Sequence, residues 1–142
     1  MKSIILFAFA IILLMGISCN GQQAQKQEAK VTSAKGGPVE VIYFHTTSRC
    51  VTCTAVENVA RNYILEQYAA QIRENKLSFI SYNIEQPEGK AVALRIGITS
   101  QSLMIVRGQD KHNIINEGFM YAVNRPERFR EIIKTKIDPL LK

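Results

Sequence analysis

The chain has 142 residues, 18 Lys and Arg against 12 Asp and Glu, a formal net charge of +6, and 46% of its residues are hydrophobic. Charged residues at 21% and aromatics at 8%, with no Trp, exclude an intrinsically disordered chain and a multi-span membrane protein, and the length suits one domain. Three cysteines are odd in number and too few for a disulfide-stapled scaffold, so at least one has a role of its own.

In chain order, Met1-Lys2-Ser3 precedes Ile4 to Met15, twelve residues without a polar side chain. A positive start, a short apolar core and the small residues Gly16 and Ser18 predict a secretory signal over 1–18. An uncleaved anchor is the competing reading, but a bilayer-spanning helix needs about 20 apolar residues. Leu14-Met15-Gly16-Ile17-Ser18-Cys19 resembles a bacterial lipoprotein signal, although Gly16 stands where that motif usually has a bulky aliphatic. The resemblance implies lipid attachment at Cys19 and a lipid-anchored protein of the periplasm or cell envelope; the other reading is a soluble exported protein cleaved nearby. Residues 19–38 turn to Gln, Lys, Ala, Ser and Gly with no aromatic, and predict a flexible tether spanning roughly 25 Å.

Removal of the signal takes away Lys2 and no acid, leaving 17 basic against 12 acidic side chains, or +5. Six basic residues lie between Arg125 and Lys142, but Glu127, Glu131 and Asp138 are interleaved with them, the pattern of a solvated helix face. That pattern and the export signal in front argue against a nucleic-acid partner despite the basic balance.

The remainder, 39–142, predicts one folded domain. Val39 to Phe44 is a β-branched and aromatic run, a buried strand. Val56, Val59, Ala60, Tyr63, Ile64, Tyr68 and Ile72 recur at helical spacing and predict a long helix from Cys50 to Asn75. A second strand over Leu77 to Ile84 and a short helix over Pro87 to Ile96 follow. Leu103 to Val106 and His112 to Glu117 flank Gly108-Gln109-Asp110 as a hairpin. A last helix starts near Asn124 as N-cap, with Glu127 as capping-box partner, and buries Phe129, Ile132, Ile133 and Ile137. Strands separated by helices must be parallel and the hairpin antiparallel, so the order is βαβαββα around a mixed sheet of about four strands.

Cys50-Val51-Thr52-Cys53 falls between the first strand and the long helix. At a helix N-terminus the unpaired backbone N–H groups and the positive end of the macrodipole favour a thiolate on Cys50, and Arg49 acts in the same direction if it points inward. Cys53 is one turn on, close enough for a disulfide. Cys50 then attacks a substrate disulfide and Cys53 resolves the mixed disulfide.

These residues, with the element order, Ile96-Gly97-Ile98 before the hairpin, and Gly108 and Gly118 about its second strand, resemble the thioredoxin-like superfamily over 39–142. The resemblance implies an α/β three-layer sandwich, Cys50 as nucleophile, Cys53 as resolver, no cofactor, and a substrate site bordered by Thr46 to Arg49 and by Thr99 to Ser102. Arg49, Gln101 and Ser102 are the candidate substrate contacts. The partners implied are disulfide-containing exported proteins or a membrane electron-relay partner. The chain departs from the family: Arg49, Val51 and Thr52 replace the Trp and Gly-Pro of thioredoxin around the first cysteine. The family's buried acid falls on Phe44, with Glu57 a possible substitute but expected at the surface. The family's cis-proline falls on Ser102, where a cis bond costs about 2.5–4 kcal/mol, so a trans bond is expected. A thiol-disulfide oxidoreductase therefore competes with a binding module whose two thiolates hold a soft metal or an iron–sulfur cluster, and with a plain structural disulfide. His45 and His112 are expected to be structural and surface residues, and a single Cys-x-x-Cys falls short of the four ligands of tetrahedral zinc.

Overall fold

A computed structural model describes residues 36–142; the expected signal 1–18, Cys19 and all but the end of the tether lie outside the described residues. Strand β1 (Val39–His45) is followed by α1 (Val51–Gln67), α2 (Ala69–Arg73), β2 (Leu77–Asn83), α3 (Pro87–Ile96), β3 (Ser102–Arg107), β4 (Asp110–Asn113), α4 (Ile115–Tyr121) and α5 (Pro126–Ile137), with a closing 3-10 turn over Asp138–Leu141. The sheet order is β2-β1-β3-β4, with β2 parallel to β1 and the other pairs antiparallel. This is the expected mixed four-stranded α/β sandwich.

The central strand β1 is buried on both faces, which is why its sequence is an unbroken apolar run rather than an alternating one. Val41 and Tyr43 face α1, α4 and α5 together with Leu103, Ile105, Val56, Ala60, Ile64, Phe129 and Ile133. Ile42 and Phe44 face the other way, onto Val92, Ala93 and Ile96 of α3 with Met104 and Val106. Phe44 stacks on Tyr82 in this second layer. Because β1 is parallel to β2, its C-terminal end, Phe44 paired with Tyr82 and His45 with Asn83, opens onto the loop that carries the cysteines.

Four details differ from the sequence expectation. The long helix ends at Gln67 and resumes at Ala69, with Tyr68 at the joint; Tyr68 buries its ring and its hydroxyl donates to Asp138 at 2.7 Å. Asn75, in the left-handed region at φ 55°, ends this helical stretch. The second hairpin strand stops at Asn113 instead of Glu117. The Asn113 side-chain oxygen accepts from the Ile115 N–H at 3.1 Å and turns the chain into α4, so Glu117 and Gly118 are helical. The last helix starts at Pro126 with Arg125 as N-cap and no side-chain cap, because the turn after α4 runs through Asn124 and the fixed φ of Pro suits the first helical position. Ile132 is only partly buried in that helix.

Candidate active site: the dithiol loop

The loop 46–49 is tied down before it reaches the cysteines. The Thr47 N–H donates to the Glu85 carboxylate at 2.8 Å, and the Asn83 amide donates to the Thr47 hydroxyl at 2.8 Å. The Thr46 hydroxyl donates to the Ser48 carbonyl, and the Glu85 N–H to the Asn83 side-chain oxygen. The end of β2 thus fixes the approach to α1.

Cys50 is the N-cap of α1, in extended conformation, and its Sγ accepts from the Cys53 N–H at 3.0 Å. The two cysteines form a disulfide with their Cα atoms 5.0 Å apart. They are unequal: Cys50 is exposed, whereas Cys53 is buried at 9%. Upon reduction, the N–H groups of the first turn and the helix dipole remain aimed at Cys50, which favours its thiolate, and no acidic residue lies in that turn to oppose it.

Beneath Cys53 lies Tyr43, with no exposure at all. Its hydroxyl donates to the Cys53 carbonyl at 2.9 Å and accepts from the Gln101 amide at 2.6 Å. Burial pushes the phenol above its usual range, against the opposing pull of Gln101 and Arg49, so it remains a donor at neutral pH.

Arg49 points inward. Its guanidinium carbon stands 5.6 Å from the Tyr43 ring centre and the group binds Glu57. Arg61, one turn further along α1, binds the other carboxylate oxygen and lies 5.2 Å from the Phe79 ring centre. Glu57 is 6% exposed, not a surface residue as the sequence suggested. Burial pushes its carboxyl up, but Arg49, joined by Ser81 and Arg61, outweighs burial and holds it below the usual carboxylate range.

Of the residues singled out from sequence, Cys50, Cys53 and Arg49 meet at this end of the sheet, and Gln101 joins them through Tyr43. Ser102 opens β3 at 2% exposure; its hydroxyl donates to the Ser100 carbonyl and accepts from the Asn113 amide. All described peptide bonds are trans, the one before Ser102 included. His45 stacks on Tyr43 with ring centres 5.8 Å apart, while His112 pairs with Ile105 in the hairpin. Among the described residues, no group of three or more His, Cys, Asp or Glu is placed to hold a metal. The sequence reading missed Tyr43 altogether and misplaced Glu57. The spacing of Cys53, Glu57, Ala60 and Ile64 along one buried helical stripe was the signal that could have found Glu57. No family model matches the chain, and no curated protein matches it.

Proposed function

We propose that this protein is a thiol-disulfide oxidoreductase of the thioredoxin-like superfamily, acting in the bacterial cell envelope on disulfides of exported proteins or within an electron relay. The observation that carries this reading is the asymmetry of the pair: an exposed Cys50 at a helix N-cap, bonded to a buried Cys53 one turn on. In the reduced protein the Cys50 thiolate attacks one sulfur of a substrate disulfide. A bond forms from Cys50 to that sulfur, and the other substrate sulfur leaves with the electron pair and takes a proton. Cys53 then loses its proton and attacks Cys50 Sγ, releasing the second substrate thiol and restoring the Cys50–Cys53 disulfide. Two electrons pass from the dithiol to the substrate; the reverse sequence oxidises a substrate dithiol. Arg49 and Gln101, with the backbone at Ser102, border the substrate.

The experiment is a glutathione redox titration of the full chain together with trapping in Cys53→Ala. A reversible two-electron transition and a mixed disulfide at Cys50 are expected. A disulfide that resists reductant in the folded state, or a variant that traps nothing, overturns the reading and leaves a structural bond.

The same proposal assigns 1–18 to export, Cys19 to lipid attachment, 19–38 to a tether and 39–142 to the thioredoxin-like domain, which places the dithiol at a membrane surface. Radioactive palmitate labelling checks it: label is expected on the wild type and absent from Cys19→Ala, and an unlabelled wild type removes the anchor.

A further inference from the structure

The buried carboxylate of Glu57 lies behind the dithiol, in a protein whose first strand carries Phe44 where the family has its acid. Two guanidinium groups hold this carboxylate. That of Arg61 comes from the same helix, and that of Arg49 comes from the residue directly before Cys50. Arg49 is further pinned against the Tyr43 ring, and Tyr43 in turn is bonded to Cys53 and Gln101. A free Arg49 would swing into water, since its side chain belongs to an exposed loop.

We infer that Glu57 is a positioning residue for the dithiol: it holds Arg49 inward over Tyr43, so that a fixed cation stands at the start of α1 as counter-charge to the Cys50 thiolate. This rests on the redox reading of the dithiol. When two glutathione thiols reduce the disulfide, two electrons enter it, glutathione disulfide leaves, one thiol proton ends on Cys53, the other goes to solvent, and Cys50 remains as thiolate. The helix N-terminus and Arg49 both stabilise that charge. The charged and titratable side chains of the elements that meet here are Tyr43 and His45 on β1, Arg49 in the loop, Glu57 and Arg61 on α1, and Glu85 after β2. Glu85 is occupied by the Thr47 N–H, and the hydroxyl of Tyr43 by Cys53. Bound by a guanidinium group at each oxygen, Glu57 is a weakened proton acceptor, and its part here is to hold Arg49.

The sign of one substitution separates positioning from bare charge. A carboxylate near a thiol raises the thiol pKa, so a Glu57 that acted only through its own charge would lower the Cys50 pKa when neutralised. A Glu57 that acts through Arg49 does the reverse. The readout is the pH dependence of iodoacetamide alkylation at Cys50 in the reduced full chain, followed by mass spectrometry of the peptide carrying Cys50.

The expected result is a rise of about 0.5 to 1 in the Cys50 pKa for E57Q and a similar rise for R49Q. In the R49Q background the E57Q change is expected to lower the value or leave it unmoved. An E57Q variant whose Cys50 pKa falls or stays at the wild-type value overturns the inference. Should E57Q fail to fold, R49Q alone decides, since an unmoved pKa there removes the counter-charge. A wild-type Cys50 that titrates like an ordinary thiol, near 8.5, speaks instead against the dithiol reading itself, so the two failures are distinguishable.

Discussion

Tyr43 donates its hydroxyl hydrogen to the Cys53 carbonyl oxygen at 2.9 Å, so the central strand of the sheet holds the first turn of the helix that carries the dithiol. The Gln101 amide completes the chain by donating to the same hydroxyl. In Tyr43→Phe the ring still fills its place, but the Gln101 amide loses its acceptor in a part-buried site. The expected loss is about 1–2 kcal/mol, read as a lower urea midpoint with an unchanged slope. Adding Gln101→Ala to Tyr43→Phe should cost less than Gln101→Ala alone, because the two share one bond. Additive costs would show that the bond carries no coupling.

Gly89 sets the seat of α3 against β2. A Cβ at this position falls 2.0 Å from the Asn83 carbonyl oxygen, a backbone atom with no freedom to yield. Asn83 also holds Thr47 through its side chain and stands two residues from Glu85. Gly89→Ala is therefore expected to destabilise by about 3 kcal/mol. It should also loosen the loop before Cys50, giving faster reduction of the disulfide by dithiothreitol under native conditions. A variant with wild-type melting temperature would show that α3 can lift away freely.

The sheet and its main helices were legible because their signals are physical necessities. The apolar run Val39 to Phe44 has to be buried on both sides, and the stripe Val56, Ala60, Ile64 has to face a core. The dithiol was legible from its place between strand and helix. What escaped depended on particular side-chain bonds that residue type and periodicity do not announce. Ile114-Ile115 reads as strand by composition, and only the Asn113 side chain turning back on the Ile115 N–H diverts it into α4. Glu57 reads as a surface acid until Arg49, from the loop before α1, and Arg61, one turn along it, close on it. Tyr43 sits in a run buried on both faces, where alternation carries no information about which residue has a polar partner.

Gly118 allows α4 to lie against α1 and α5. A Cβ there would stand 2.9 Å from Val56 Cγ1 and 3.1 Å from Phe129 Cζ. Both neighbours have no solvent exposure, so neither can move outward. Alanine gains about 1 kcal/mol over glycine in a helix, whereas overpacking costs about 1–3 kcal/mol. The expected net effect of Gly118→Ala is a loss of up to about 2 kcal/mol by denaturant unfolding. Val56→Ala in the same chain should recover part of that loss by vacating the contact, and a further additive loss would show that Gly118 is not limited by Val56.

Acid stability carries two opposed contributions whose signs are fixed by the sheet. Burial pushes the Glu40 carboxyl above its ordinary 4.5, against the pull of Arg95. Its raised pKa makes the folded state bind the proton more readily, so stability rises as pH falls through that raised value toward 4.5. Glu57 works the other way: although burial raises its pKa, Arg49 and Arg61 hold it below 4.5. The contribution of Glu57 is fully present above 4.5 and is lost as pH falls through its folded pKa. Asp138, held below its ordinary 3.8 by Lys134 against the effect of burial and with help from Tyr68, adds to the loss further down. Unfolding free energy measured by urea across pH 7 to 3 should therefore rise as pH falls through the raised Glu40 pKa and fall again below 4.5, with a shallow maximum between. Glu40→Gln should remove the rise on the neutral side, and Glu57→Gln should flatten the fall below 4.5. An unchanged acid limb in Glu57→Gln would mean that the carboxylate gains nothing from its two arginines.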